Sequence, residues 1–245
     1  MIKVLSIGNS FSQDAQRYLH RVAKSAGVDM KAVNLYIGGC PLSSHYNNMK
    51  SGEASYDFEF NGEKTGISVS IKQALMSDEW DIVTLQQQSG RSVDYSTYQP
   101  YLSEVAAYVR QMCPNTKLLM HRTWGYEDGS SLLESIHYKS MRQMFDDAKI
   151  AYEEAAKDID ADGIIPAGDA MMCAYEKGIK VHRDTFHASL GFGRYLIALV
   201  WFSYITGKNV DEVTFSDFDE PLSDEMIKAA KEIANDVVKS VQGIK

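Results

Sequence analysis

Ser10, Asp184 and His187 are the residues of this 245-residue chain whose types and spacing add up to a reaction. A serine hydroxyl attacks weakly until a base takes its proton, and an imidazole oriented by a carboxylate supplies that base. Ser10 lies in Ile2–Ser12, IKVLSIGNSFS, where the apolar run Val4, Leu5, Ile7 meets a Gly8-Asn9-Ser10 turn. Asp184 and His187 stand three apart in Asp184-Thr185-Phe186-His187, so the chain order is Ser, Asp, His. The chemistry implied is attack on a carbonyl carbon, with an acyl group held on Ser10. Each residue also has an ordinary reading. Ser10 fits a helix N-cap, Asp184 an acid of a surface loop, and His187 a histidine at a helix start. Five other histidines, His20, His45, His121, His137 and His182, leave the choice of His187 to its motif.

The elements that must position these residues alternate. The patterning predicts strands at Ile2–Ile7, Val28–Ile37, Asp81–Gln86, Lys117–His121 and Gly163–Pro166. It predicts helices at Gln13–Ala26, Ile71–Ser77, Tyr98–Met112, Ser130–Asp158, Ala188–Thr206 and Ser223–Val241, the last amphipathic. Tyr56–Phe60 and Ile67–Ser70 flank Asn61-Gly62, a hairpin signal. Pro41–Glu53 reads as a polar stretch. Strands alternating with helices argue for a mainly parallel, five-stranded sheet covered on both faces. No repeat, low-complexity run or linker interrupts the pattern, so residues 1–245 read as one α/β domain. Ser10 then falls at a strand-to-helix turn on the carboxyl edge of the sheet, where α/β proteins bind ligands.

Gly8-Asn9-Ser10-Phe11 and Asp184-Thr185-Phe186-His187, in that order and at that separation, resemble the first and last blocks of the SGNH (GDSL-type) hydrolases. Trp80–Gln87, Thr123-Trp124-Gly125-Tyr126 and Gly193-Arg194-Tyr195 are similar to one bacterial branch of that superfamily. The resemblance covers nearly the whole chain. It implies a flavodoxin-like three-layer α/β/α fold, with Ser10 as nucleophile, His187 as base and Asp184 as the acid that orients it. It also implies an oxyanion hole made of the Ser10 N–H, the N–H of a glycine after the second strand, and a side-chain amide. Gly39 matches the glycine, with Gly38 as the fallback; such a position favours a residue free to take positive φ. The family's third donor is an asparagine in a Gly-x-Asn-Asp block, and this chain has Leu85-Gln86-Gln87-Gln88-Ser89-Gly90 instead. A glutamine carries the same donor on one more methylene. Gln87 is the first choice, with Gln86 and Gln88 left open. Asn9 stands where the family usually has Asp, which keeps a hydrogen-bonding side chain and loses a charge.

Trp124 and Tyr126 follow the fourth strand and suit either stacking on a sugar ring or ordinary packing, in equal measure. His45, Tyr46 and Asn47 read as a solvent loop or, less well, as pocket lining. Cys40, beside Gly38-Gly39, reads best as a spectator thiol. Asp158-Ile159-Asp160-Ala161-Asp162-Gly163 begins like a calcium loop. Its twelfth position is Asp169 in place of a bidentate Glu, and a charged helix-to-strand turn is the better reading.

Composition narrows the classes. The net charge is −8, from 25 basic and 33 acidic residues, without the basic cluster that a phosphate backbone requires. Three scattered cysteines form neither a disulfide framework nor a zinc pattern. No apolar run reaches the roughly 18 residues of a membrane span. No signal peptide precedes the first strand, yet Met1 abuts that strand closely enough for a leader to have been lost, and the compartment stays open between cytoplasm and export. Gly8-Asn9-Ser10 lacks the glycines of a dinucleotide fingerprint. The expectation is a serine ester hydrolase that needs no metal or organic cofactor and acts on small acyl groups, acetyl above all, of a carbohydrate or other small ester. The alternatives are a lipid esterase or thioesterase, and a carbohydrate-binding protein on the same fold weakened by its Gln-for-Asn exchange. Oligomeric state is not legible.

Overall fold

The computed structural model describes residues 1–242. The chain runs β1 (Ile2–Gly8), α1 (Ser10–Gln16), α2 (Leu19–Ser25), β2 (Met30–Tyr36), α3 (Leu42–Ser51), β3 (Tyr56–Phe60), β4 (Glu63–Val69), α4 (Ile71–Met76) and β5 (Ile82–Leu85). It continues through α5 (Tyr101–Met112), β6 (Lys117–His121), α6 (Ser131–Ser135), α7 (Met141–Asp158), β7 (Gly163–Ile165), α8 (Ala167–Glu176), α9 (Phe192–Thr206) and α10 (Asp224–Gln242).

Seven strands form one sheet in the order β4-β3-β2-β1-β5-β6-β7. The five strands β2-β1-β5-β6-β7 are parallel, in the flavodoxin-like order. The expected five strands are therefore present, and two more extend the sheet. The Asn61-Gly62 hairpin does not stand apart: β3 pairs antiparallel with β2, and β4 closes that edge. The reason lies in the pattern of β3, whose Tyr56 and Glu59 are buried while β4 is exposed almost throughout, as an edge strand tolerates.

Period-two alternation builds two cores from one set of strands. Val4, Ala32, Ile82 and Leu119 face α1, α2, α8, α9 and α10. Their neighbours Leu5, Val33, Val83 and Leu118 face α3, α4, α5 and the second half of α7. Helix α9 is buried along most of its length, with Trp201 and Tyr195 at 0 % exposure, because α1, α2, α8 and α10 all pack on it. No described helix is long and apolar enough to cross a membrane.

Four expectations need correction. Gln13–Ala26 is two helices, broken at Arg17-Tyr18, where both side chains are tied to distant segments: Arg17 to Gly62 and Asp219, Tyr18 to the carbonyl of Leu190. Ser130–Asp158 is also two. His137 takes a φ of 65°, and the Ser140 hydroxyl accepts from Gln143 N–H to start α7 afresh. Pro41–Glu53 contains the helix α3, entered at Pro41. Helix α8, which follows Pro166, has no counterpart among the predicted helices. The aspartates at 158–162 act as turn residues: Asp162 accepts the Leu118 N–H at 2.8 Å, and Asp160 takes a φ of 50°. Among the described residues no cluster of three or more His, Cys, Asp and Glu side chains is arranged to hold a metal ion.

Candidate active site

The helix that carries Ser10 begins with a reciprocal cap. Asn9 Oδ1 accepts the Phe11 N–H at 3.0 Å, and Ser12 Oγ accepts the Asn9 N–H at 3.1 Å. Such a cap ends β1 and starts α1 within one residue. Gly8 permits it, since a Cβ there would stand 2.2 Å from Ser12 Oγ. Ser10 is thus the first helical residue, at the carboxyl end of the central strand. Strand order reverses between β1 and β5, so the turn sits at the topological switch point.

His187 reaches it from 177 residues away, with its Nε2 2.9 Å from Ser10 Oγ. Asp184 Oδ2 is 2.8 Å from His187 Nδ1, and Asp184 Oδ1 accepts the His187 backbone N–H at 2.9 Å. With Nδ1–H donating to the carboxylate, the lone pair of Nε2 is left for the serine hydroxyl. Burial works to raise the Asp184 carboxyl. The hydrogen bonds from His187 outweigh it and hold the group below its usual range.

The loop that bears this pair is fastened from three directions. His182 pairs with Ala188 as an isolated bridge, and Arg183 N–H donates to His187 O. The segment after β6 binds it through Trp124 Nε1 to Phe186 O at 2.8 Å, Glu127 N–H to Thr185 O at 2.7 Å, and His182 Nε2 to Gly125 O at 3.0 Å. From α1, wholly buried Asp14 accepts Arg183 Nη1 and Arg194 Nε, each within 2.9 Å, and the Ala188 N–H at 3.1 Å. Thr185, between the two acidic and basic members, is held at a φ of 75°. Asp14, Arg183 and Arg194 were not singled out as site residues from sequence. The available signal was an acid four residues after Ser10, on the same helix face and flanked by apolar Phe11 and Ala15.

A cavity of about 270 Å³ opens at Ser10 and His187. Gly38, Gly39 and Gln88 line it, and Phe11, Tyr36 and Phe186 supply aromatic walls. Gly39 has a φ of 64°, with open space where a Cβ would stand, so its requirement is conformational and not steric.

Several expected members lie elsewhere. Gln87 is 0 % exposed and does not line the cavity. Its Nε2 donates to Thr97 O and Oγ1, and its Oε1 accepts the N–H groups of Leu42 and Gln88. An amide committed in this way has no donor left for an oxyanion, and this corrects its expected role. Gln86 is likewise buried, between Asn9 and His121. Trp124 and Tyr126 are 1 % and 2 % exposed and stand behind the wall. Trp124 stacks on Phe11 with ring centroids 4.3 Å apart, and the Tyr126 hydroxyl meets Ser89 Oγ at 2.8 Å. They pack the lining residues, and direct stacking on a ligand is not open to them. His45 is buried on α3, with Nδ1 at 2.8 Å from Tyr56 Oη. Cys40 is buried beside it, and burial pushes its thiol up to about 12.

Among curated proteins no sequence matches this chain. The fold itself is shared widely. A carbohydrate esterase of family 3 from Clostridium thermocellum superposes with a TM-score of 0.50 at 14 % identity, over 82 % of this chain and 94 % of that one. A protein of Slackia heliotrinireducens, assigned provisionally to the SGNH hydrolases, gives 0.59 at 20 % identity, over 82 % and 97 %. The fold is that of the SGNH hydrolases. A protein of the DUF4886 family from Bacteroides uniformis reaches a TM-score of 0.90 at 34 % identity, over 97 % of this chain and 94 % of that one. The profile of that same family, a domain of unknown function, matches residues 3–237, and the chain belongs to the DUF4886 family.

Proposed function

We propose that the protein is a serine ester hydrolase that forms an acyl-enzyme on Ser10 and removes small acyl groups, acetyl first among them, from carbohydrate or similar neutral alcohols. One observation carries this reading: Ser10 Oγ, His187 and Asp184 make a continuous hydrogen-bonded series at 2.9 and 2.8 Å that opens on a cavity. In the first step His187 Nε2 takes the hydroxyl proton while Oγ bonds to the ester carbonyl carbon. The carbonyl oxygen becomes an oxyanion, and the backbone N–H groups of Ser10 and Gly39 are its proposed donors. At a helix start the N–H groups have no partner within the helix, so that of Ser10 is free for such a charge. His187 then gives its proton to the leaving alcohol, and the ester bond breaks. Water repeats the sequence, losing a proton to His187, and releases the acid as Ser10 recovers its own.

A short acyl group such as acetyl fits within the cavity of about 270 Å³. Tyr36 and Phe186, both part-exposed at the cavity, give apolar faces suited to a sugar ring beside that group. The carbohydrate esterase of the same fold is consistent with this choice. The test is hydrolysis of p-nitrophenyl acetate beside the octanoyl ester. The acetyl ester should be preferred, and Ser10→Ala and His187→Ala should each remove nearly all turnover, because the members of such a unit fail together. Full activity in Ser10→Ala would place the nucleophile elsewhere. Preference for octanoyl would favour a lipid esterase. A wild-type protein that takes no fluorophosphonate label while binding sugar would favour a carbohydrate-binding role.

A further inference from the structure

The glutamines after β5 do not face the expected oxyanion directly, with the exception of Gln88 at the cavity wall. Gln86 belongs instead to a row of side chains whose donor and acceptor roles can all be assigned. Phe11 N–H can only donate and takes Asn9 Oδ1, which leaves Asn9 Nδ2 for the carbonyl of Cys40, 3.1 Å away and able only to accept. The orientation of the Asn9 amide is thus fixed from both ends. Its Oδ1 also accepts Gln86 Nε2 at 2.7 Å, so Gln86 Oε1 is the atom that faces His121 Nδ1 at 2.8 Å, and that nitrogen must carry the proton. His121 Nε2 has no hydrogen-bond partner among the described residues, and burial pushes the ring down to about 3, so it stays neutral. Hydrogen bonds therefore run one way, from His121 to Gln86 to Asn9 to Cys40. These residues stand at or just beyond the carboxyl ends of β6, β5, β1 and β2, four neighbouring strands.

The row ends on the turn that carries Gly39. That turn is closed by Cys40 N–H to Ile37 O at 3.2 Å, and its far side is held by Gln87 Oε1 on Leu42 N–H. We infer that His121, Gln86 and Asn9 are positioning residues: they form a rail across the sheet edge that sets the Gly39 turn against Ser10, so that the oxyanion hole is built from backbone donors held by side chains. The inference rests on the hydrolase reading of this site. It also gives a reason for asparagine at position 9. A carboxylate there would turn a bare oxygen toward the Cys40 carbonyl and push the turn away.

Asn9→Asp reverses the polarity of the last link at nearly constant shape, and Gln86→Met deletes the middle links without burying a charge. The expected result in both is a kcat for p-nitrophenyl acetate lowered roughly tenfold or more, with KM within about threefold of wild type. Hydrogen–deuterium exchange of the segment 37–42 should quicken by roughly tenfold or more in the same variants. Ile233→Val, a core substitution in α10, serves as a destabilised control and should do neither. If Asn9→Asp fails to fold, Gln86→Met carries the test. Unchanged exchange and unchanged kcat in a folded Gln86→Met would overturn the rail. A wild type in which mass spectrometry finds no fluorophosphonate on Ser10 would overturn the hydrolase reading, and with it the purpose given to the rail, while the exchange comparison reports separately on whether the turn is held.

Discussion

Three adjacent glutamines with the same functional group have three different tasks, because an amide acts only through the partners its backbone position allows. Gln86 faces Asn9 and His121, Gln87 ties Thr97 to Leu42, and Gln88 lines the cavity. Substitution should separate them. Gln87→Ala leaves the N–H groups of Leu42 and Gln88 without their acceptor. The loss expected is about 1–3 kcal/mol of stability for a buried group left unpaired, read as a lowered midpoint in urea. Gln88→Ala gives up the exposed cap that its Oε1 makes on the Arg91 N–H at 3.1 Å, so the loss in the same measurement should be smaller, about 0.5–1 kcal/mol, with KM raised as its side chain leaves the cavity wall. The reverse pattern, a stable Gln87→Ala with poor kcat, would restore Gln87 as an oxyanion donor. Sequence could narrow the donor to this triplet but not choose within it. The choice depends on Thr97 and Leu42, ten and forty-five residues away, whose proximity no local pattern encodes.

At the scale of elements, the parallel strands were legible to within two residues, because each is a short apolar run bounded by turn residues and buried on both faces. The breaks in helices were not. Residues 130–158 have helical propensity almost throughout, and the interruption comes from His137 in a left-handed conformation and a fresh cap at Ser140. The approach of Ser10 to His187 was legible only as a pair of motifs, whereas what holds them together was hidden in α1. Asp14 sits one helical turn beyond Ser10 and binds Arg183, Arg194 and the Ala188 N–H, so the helix of the serine and the loop of the histidine share one buried carboxylate. Asp14→Asn keeps the shape and removes the charge, leaving two guanidinium groups without it. A loss of roughly 3 kcal/mol is expected in urea unfolding, together with slower turnover as the loop shifts. Arg194→Lys should cost less, since Arg183 would still hold the acid. Equal stability of Asp14→Asn and wild type would show that the loop is held by its ties to Trp124 and Glu127 alone.

The molecule as a whole carries an acid sensitivity that its net charge does not reveal. His45, His121 and His182 are each 0–1 % exposed, and burial is the leading cause that lowers them, to about 3, about 3 and about 4; for His182 the hydrogen bond to Gly125 O works weakly against that shift. All three are neutral in the folded protein near neutral pH and equally neutral in the unfolded chain, so above the usual histidine value of 6.5 they contribute no pH dependence. As pH falls below 6.5 the unfolded chain binds protons that the folded protein refuses, and stability drains away until the folded values are reached. Each such histidine contributes a limiting slope of about 1.4 kcal/mol per pH unit, so three together give roughly 4 kcal/mol per unit between about pH 5.5 and 4.5, below which His182 drops out. Two carboxylates act differently: Glu59, raised by burial, takes up a proton earlier in the folded protein than in the unfolded chain and offsets part of this decline, whereas Asp219, held down to about 2 first of all by its hydrogen bond with Arg17, withdraws stability only below about pH 4. Urea unfolding from pH 8 to 4 should therefore show a plateau and then a steep decline that begins above the carboxylate range. His121→Phe should reduce the limiting slope by about a third, or about 1.4 kcal/mol per unit, whatever it does to absolute stability. A variant with the same slope as wild type would mean that His121 takes up its proton in the folded protein over the same pH range as in the unfolded chain, and that its ring is not the neutral end of the row.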